Sequence, residues 1–285
     1  MRKEIFRQAQ KSCIVTNAHK IVSGVLPDLT KKDSDFFFFK RKTPEASSEL
    51  LVELIRTRLP KAYNYSPVDD IQVITPSRKG LLGTVELNKL LQEKINPQSD
   101  KKPEFKSHIY TFRIGDKVMQ TRNNYDIEWK RNEEKGMGIY NGDIGKIINI
   151  NLLTKTAVLD FDGRIASYQF ETMNQVELAY AITVHKSQGC EFEAVIIPLL
   201  GSFDKLCYRN LLYTAVTRAK RLLIIIGSED DIARMVENNK RTRRYTCLKN
   251  MLAEGSAESV ISEVTDDSEI NENDGNFAEP NAEPT

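Results

Sequence analysis

Hydrophobic positions in the first hundred residues alternate between helical spacing and short apolar runs. Residues 1–22 and 45–59 are predicted to be helices, the second ending before Pro60 because proline lacks the amide donor that a helix needs. The four aromatic residues from Phe36 to Phe39 do not alternate with polar ones, which predicts a strand buried on both faces. Ile71 to Thr75 is a short apolar strand. The next helix, capped by Thr84, ends at Asn96-Pro97.

The pattern changes after about residue 108. Short strands are predicted at 109–121, 142–149, 156–161 and 166–170. Their turns contain Asn-Gly and Asp-Gly steps, which favour tight hairpins because both residues accept positive φ. Several short strands within about 60 residues are typical of a small β-barrel.

Alternating helices and strands return at Ala179. Strands are predicted at 195–199 and 222–227, and helices at 209–221 and 230–238. The chain is therefore expected to be an α/β domain with a parallel sheet, interrupted by an inserted β module. The tail from about residue 254 is rich in Glu, Asp, Ser and Asn, so we expect it to be disordered.

The net charge of +1 hides an asymmetry. Residues 253–285 hold ten acidic residues and no Lys or Arg, so the rest of the chain carries 41 basic residues against 30 acidic ones, a balance of +11. A basic body suits a polyanion such as nucleic acid, and a merely solvated basic surface is the alternative. The longest aliphatic run, Leu222 to Ile226, is far too short to span a membrane, and the four cysteines are not at metal-ligand spacing. No membrane partner and a reducing cytoplasm are expected.

Two stretches carry candidate chemistry. In the first, a strand is predicted to end at Thr183, and its hydroxyl together with His185, Lys186 and Ser187 offers donors to phosphate oxygens. Gly189 would let a ligand approach the backbone. In the second, Arg218 is predicted to lie near the end of the 209–221 helix, where a guanidinium can reach a phosphoryl group during its transfer.

These stretches resemble conserved motifs of superfamily 1 helicases. Residues 183–192 (TVHKSQGCEF) look like motif V, and 212–220 (LYTAVTRAK) look like motif VI. Matches to the RecD-like branch are found at residues 6–9 (FRQA, similar to motif IV), 70–88, 115–125 and 141–145, of which the last two resemble the Src-homology-3-like barrel inserted in that family. The resemblance implies a RecA-like second motor domain in segments 1–107 and 171–252, the barrel at 108–170 and an acidic tail at 253–285.

The resemblance also implies roles for individual residues. Arg7 and Arg218 would contact the γ-phosphate of ATP. Gly189 and Glu191 would lie near the nucleotide sugar or couple the nucleotide site to the DNA. The residues implied along a single-stranded DNA track are Thr75, Arg78, Lys79, Thr183, His185, Lys186 and Ser187. The barrel would help to hold or split the strands.

Each role has a structural alternative. Arg7 and Arg218 would then form surface ion pairs, His185 would be a structural histidine, and Glu191 would cap a strand. The aromatic run at 36–39 is interpreted as core, and the basic cluster at 240–244 as a solvated surface.

The sequence has no G-x4-G-K-[ST] phosphate loop, and no metal-ligand cluster is predicted. Asp160 and Asp162 are interpreted as turn residues because Gly163 follows them. We therefore expect ATP and Mg²⁺ to be bound mainly by a first motor domain upstream or in a separate chain, and this chain to be inactive alone. The function expected is that of the C-terminal motor half of a 5′-to-3′ DNA helicase of repair or recombination. The alternatives are a non-catalytic DNA-binding or regulatory module and a product with no stable function.

Overall fold

In chain order, the helices and strands of a parallel α/β sheet come before and after a block of antiparallel strands. The computed structural model describes residues 12–31, 35–100, 102–107, 109–200 and 206–239. The helices are α1 (Cys13–Val22), α2 (Pro44–Glu53), α3 (Leu59–Tyr63), α4 (Thr84–Ile95), α5 (Arg209–Val216) and α6 (Glu229–Glu237). The parallel strands are β1 (Phe36–Lys40), β2 (Ile71–Thr75), β12 (Ala181–Thr183), β13 (Phe192–Pro198) and β14 (Ala219–Gly227).

The parallel sheet has the order β1-β14-β13-β2-β12. All five residues of β2 are buried, as are most of β13 and β14, which explains the runs of Val, Ile and Leu in the second halves of β13 and β14. The predicted α/β fold with a parallel sheet is confirmed. β1 forms one edge of the sheet, so Phe36 is buried but Phe37, Phe38 and Phe39 remain partly exposed. The expectation that this strand is buried on both faces was wrong for those three residues.

The second predicted helix does not end before Pro60. A π-helical turn, Leu54–Arg58, follows α2 and leads into α3, which contains Pro60 in its first turn. The amide of Leu59 donates to the carbonyl of Leu54, five residues back. This wider turn accommodates a proline whose ring would clash with the carbonyl four residues earlier in a regular helix.

The helix predicted at 209–221 ends at Val216, with Thr217 as its C-cap. Arg218 therefore lies between α5 and β14, and its expected position inside the helix was wrong. Pairing of β14 with β13 begins at Ala219, opposite Phe192. This long-range pairing outweighs the helix propensity of Ala219, Lys220 and Arg221.

The antiparallel block is a seven-stranded, barrel-like sheet with the order β11-β5-β8-β9-β10-β6-β7, next to a separate β3-β4 hairpin. Its strands in chain order are β3 (Glu104–Ser107), β4 (Tyr110–Arg113), β5 (Lys117–Gln120), β6 (Asn124–Arg131), β7 (Glu134–Ile139), β8 (Ile144–Asn151), β9 (Thr156–Phe161), β10 (Arg164–Gln169) and β11 (Val176–Leu178). The expected interruption of the α/β domain by a β-barrel module is confirmed. The turn between β9 and β10 has positive φ at Asp162 and Gly163, as a tight hairpin requires. The sheet continues through β11 to Leu178.

Asp116 joins the antiparallel block to the α/β part. It is fully buried, and its carboxyl oxygens accept hydrogen bonds from Gln92 of α4 (2.6 Å) and from Asn96, the C-cap of that helix (2.7 Å). They also accept from the amide of Arg113 (2.7 Å) and from the hydroxyl of Tyr180 (2.9 Å). A single side chain thus fixes α4, the turn before β5 and the segment that enters β12. Within the described residues, no helix combines the length and the apolar character needed to cross a membrane.

Candidate functional site

Two of the sequence-predicted DNA residues end neighbouring strands on the side of the parallel sheet where the strands finish, which is called the carboxyl edge below. Thr75 is the last residue of β2, Thr183 is the last residue of β12, and the two are register partners. The loops that follow them, 76–83 and 184–191, therefore begin side by side at the carboxyl ends of their strands. This edge is where open parallel sheets present ligand-contacting loops.

The 76–83 loop folds back tightly before α4. The Thr75 hydroxyl is buried and donates to the carbonyl of Leu82 (2.7 Å), and the amide of Thr84 donates to the carbonyl of Ser77 (3.1 Å). Gly83, and not Thr84 as predicted, occupies the N-cap position of α4. A Cβ on Gly83 would lie 2.5 Å from the carbonyl oxygen of Lys79, so this turn requires glycine. The tight fold leaves the side chains of Arg78 and Lys79 exposed.

The 184–191 loop begins with a compact turn. The amide of Lys186 donates to the Thr183 hydroxyl (3.3 Å), and the buried Ser187 hydroxyl donates to the carbonyl of Val184 (2.8 Å). His185 is exposed, with its Nε2 3.5 Å from the hydroxyl of Tyr208. The hydroxyls of Thr75 and Ser187 are thus engaged in holding the two loops, whereas His185 and Lys186 project from them.

Glu177, which the sequence interpretation missed, connects these two loops. Its Oε1 lies 3.0 Å from a guanidinium nitrogen of Arg78, and its Oε2 lies 2.9 Å from Nζ of Lys186. Burial acts to raise the pKa of Glu177, but the hydrogen bond and charge of Lys186, aided by Arg78, outweigh it and hold the pKa below the usual glutamate value. The signal in the sequence was one acidic residue among apolar ones, between Val176 and Leu178.

A second group of predicted residues lies on the opposite side of the sheet, at the amino ends of the strands, where β13 and β14 begin. The amide of Phe192 donates to the carbonyl of Arg218 (2.9 Å). The Arg218 guanidinium in turn donates to the carbonyls of Cys190 (3.0 Å) and Thr214 (3.1 Å) and to the hydroxyl of Thr217 (3.2 Å). Arg218 is therefore held against the end of the 184–191 loop.

Gly189 and Glu191 flank the carbonyl that Arg218 contacts. Gly189 has a φ of +84°, and no atom lies within 4 Å of the position that a Cβ would take. Glu191 is exposed. The backbone at Gly189 is open, and the Arg218 guanidinium contacts the carbonyl of the next residue, Cys190. A phosphate-bearing ligand can approach this polar surface.

The structure thus separates the predicted residues into two groups joined by one loop. Thr75, Arg78, Lys79, Thr183, His185 and Lys186 lie where β2 and β12 end, and Gly189, Glu191 and Arg218 lie where β13 and β14 begin. The 184–191 loop runs from one edge of the sheet to the other. Arg7, the basic cluster at 240–244 and the acidic tail lie outside the described residues.

Comparison with protein families gives two matches. Residues 87–161 match the SH3 domain of ATP-dependent RecD-like DNA helicases, and residues 178–226 match the UvrD-like helicase C-terminal domain. The second match includes the 184–191 loop and Arg218, and the first includes Asp116.

Curated relatives align over the same region. The ATP-dependent RecD2 DNA helicase of Deinococcus radiodurans is 30% identical over 250 residues, which are 88% of this chain and 32% of that protein. The RecBCD enzyme subunit RecD of Mycolicibacterium smegmatis is 26% identical over 65% of this chain and 30% of its own length. The chain thus spans about a third of the length of these relatives. A solved Bacteroides Pif1 helicase in complex with ADP-AlF3 and single-stranded DNA is 18% identical, with a TM-score of 0.46, over 85% of this chain and 54% of that one.

Proposed function

We infer that this chain, which belongs to the RecD-like DNA helicases through its SH3 insert and its UvrD-like C-terminal domain, acts as the second motor domain of an ATP-dependent DNA helicase. In this proposal the segments 1–107 and 171–252 form the motor domain, and the insert at 108–170 holds or splits the strands. ATP and Mg²⁺ are bound mainly by a first motor domain. Movement along the DNA is 5′ to 3′.

The observation that carries the proposal is that the 184–191 loop connects the two groups of predicted residues. One end of this loop carries His185 and Lys186 beside Arg78, and the other end accepts the hydrogen bond of Arg218. A displacement of the loop by DNA at one edge of the sheet would therefore move the contacts of Arg218 at the other edge. Helicases need such a connection because each ATP turnover must be tied to a step along the strand.

Arg218 is the group we assign to phosphoryl transfer. Three of its five N–H groups are engaged by Thr214, Cys190 and Thr217, which fixes the plane of the guanidinium. The other two have no partner among the described residues and are available to oxygens of the transferring phosphoryl group. Arg7 is assigned the same role, and Gly189 and Glu191 the neighbourhood of the nucleotide.

The DNA contacts divide according to exposure. Arg78, Lys79 and His185, which are exposed on the two loops, and Lys186, which is partly exposed, contact backbone phosphates through their side chains. The hydroxyls of Thr75 and Ser187 are buried and internally bonded, so these residues shape the loops, and Thr183 does the same by accepting from the amide of Lys186.

A non-catalytic DNA-binding or regulatory module is the second candidate. It accounts for the basic loops at the carboxyl edge equally well. It gives no reason for a guanidinium to be fixed next to Gly189 with two N–H groups that have no partner among the described residues. ATP turnover that depends on Arg218 distinguishes the two functions.

We expect the chain to bind single-stranded DNA without sequence preference and with strong salt dependence. Each phosphate neutralised on a single strand contributes about 0.7 to the slope of log K against log salt, so about three contacts give a slope near −2. Fluorescence anisotropy of a labelled oligonucleotide, titrated at several salt concentrations, measures this slope. Lys186→Ala should reduce its magnitude, whereas Lys89→Ala, which removes an exposed charge on α4 paired with Glu86, should not. Equal effects of the two substitutions would argue against the assigned track.

A further inference from the structure

We propose that Glu177 stands in for a DNA phosphate as the shared partner of Arg78 and Lys186 in the DNA-free protein, and that a DNA phosphate replaces it as their partner on binding. Glu177 is then an internal competitor that sets the affinity of the motor domain for single-stranded DNA. The inference rests on the proposed function, because it takes Arg78 and Lys186 as phosphate-binding residues.

The contact geometry supports competition. Arg78 contacts Oε1 of Glu177 at 3.0 Å, and Lys186 contacts Oε2 at 2.9 Å, so each cation has its own oxygen on one anionic group. A phosphodiester also offers two anionic oxygens on a single centre, and it can be shared between two cations in the same way. The bridging carboxylate thus accepts from the same N–H groups of Arg78 and Lys186 that a DNA phosphate would use.

The anchoring of the three residues shows which of them can move. Glu177 is fixed by its strand, since β11 pairs with β5 and places Glu177 opposite Met119. Arg78 lies on a loop with its side chain 52% exposed, whereas the side chains of Glu177 and Lys186 are each 26% exposed. The flexible partner is therefore the exposed arginine, which can exchange a carboxylate for a phosphate at little structural cost.

The position of Glu177 at the border of two grooves gives DNA a way to reach the cations. On one side it lines a small cleft with Arg78, Thr183 and Lys186. On the other it lines an open groove of about 420 Å³ along the antiparallel block, together with Tyr110 and Arg122. A strand that lies across both grooves must pass over the carboxylate, and the repulsion between like charges opposes binding until Arg78 and Lys186 pair with the phosphate instead.

The charge balance predicts the direction of the effect. Two cations bridged by one carboxylate present a net charge of +1 to DNA, and removing the carboxylate charge leaves both cations available. We expect Glu177→Gln to bind single-stranded DNA about tenfold more tightly at low salt and to show a salt slope steeper by about 0.7, the contribution of one further phosphate. Glutamine keeps the length and shape of the side chain, so the fold should be preserved.

The test is an anisotropy titration of the whole chain with labelled oligothymidylate at several salt concentrations. Glu53→Gln is the matched control, because it removes the same charge from an exposed pair with Arg58 on α2 and should leave both affinity and slope unchanged. Glu177→Asp keeps the charge but is too short to bridge both cations, and should give an intermediate affinity. In an Arg78→Ala/Lys186→Ala background, Glu177→Gln should lose its effect.

The outcomes separate the inference from the function on which it rests. Tighter binding by Glu177→Gln that vanishes in the double-alanine background supports the displacement. If Glu177→Gln binds as the unsubstituted chain does, or more weakly while melting at the same temperature, Glu177 positions the cations instead and the inference is overturned. If Lys186→Ala leaves binding unchanged in the first place, the DNA track itself is wrong and both proposals fall.

Discussion

Arg218→Ala is expected to reduce ATP turnover by about 10³-fold at saturating DNA, the scale on which a guanidinium stabilises a transferring phosphoryl group. The enzyme for this test is the helicase that joins this chain to a nucleotide-binding first motor domain. Unwinding should be lost with turnover, and DNA affinity should change little, because Arg218 lies at the opposite edge of the sheet from Arg78 and Lys186. Steady-state phosphate release measures the effect.

The competing explanation is that Arg218 only fastens the loop to α5. Its three hydrogen bonds to Cys190, Thr214 and Thr217 do hold the loop to α5. Their loss should cost roughly 1–3 kcal/mol of stability. A purely structural arginine would then lower the melting temperature while leaving the turnover of the folded enzyme close to normal. Turnover and melting temperature measured on the same preparation separate the two explanations.

Two further variants sharpen this test. Arg218→Lys retains the charge but loses the planar set of N–H groups, so we expect it to restore little turnover. Arg221→Ala is the control: this arginine lies in β14, just after Arg218, and its side chain is 74% exposed and paired with Glu193 at 3.6 Å. It should turn over as the unsubstituted enzyme does.

Asp116→Ala is expected to destabilise the chain by about 3–5 kcal/mol, because it removes a buried acceptor that four donors share. The amides of Gln92 and Asn96 would keep only their bonds to backbone carbonyls. Those donors come from α4, the turn before β5 and Tyr180, so the loss should loosen the junction between the antiparallel block and the parallel sheet. Urea unfolding gives the value from the shift of the midpoint at constant slope. Asp116→Asn retains one acceptor oxygen and should lose less.

Asp126→Ala serves as the control for this prediction, since Asp126 is an exposed aspartate on β6 of the same block. It should change the unfolding free energy by less than about 0.5 kcal/mol. A loss at Asp116→Ala no larger than that at Asp126→Ala would show that the buried network does not stabilise the junction.

The strands of the parallel sheet were predictable because short apolar runs rich in β-branched residues are typical of strands that are buried on both faces of a sheet. Ile71 to Thr75 and Leu222 to Gly227 are found where the apolar pattern places them. The hairpin of β6 and β7 was not predicted. Its residues are mostly polar and exposed, so hydrophobic and polar positions do not alternate along the sequence in a way that marks a buried face. The two strands are recognised only in the structure, where β6 pairs with both β7 and β10.

The residues of the candidate site are predictions from motifs in the sequence, and their arrangement was not predictable from it. The motif residues around Lys186 and Arg218 are visible in the sequence, yet nothing local tells that they lie at opposite edges of one sheet. That separation depends on the parallel pairing of β12 with β2 and of β13 with β14. Glu177 was missed because its importance comes from two partners, Arg78 and Lys186, that are 99 and 9 residues away.

The central claim is that one loop links a DNA-binding edge to a phosphoryl-transfer edge, and ATP turnover measured against single-stranded DNA concentration tests it most directly. In the complete helicase, Lys186→Ala should raise the DNA concentration for half-maximal turnover by about tenfold and leave the maximal rate within a few-fold, as expected for the loss of one phosphate contact. Arg218→Ala should do the reverse, lowering the maximal rate by about 10³-fold with the half-maximal DNA concentration nearly unchanged. Wild-type maximal turnover in Arg218→Ala, or the same parameter altered in both variants, would contradict the account.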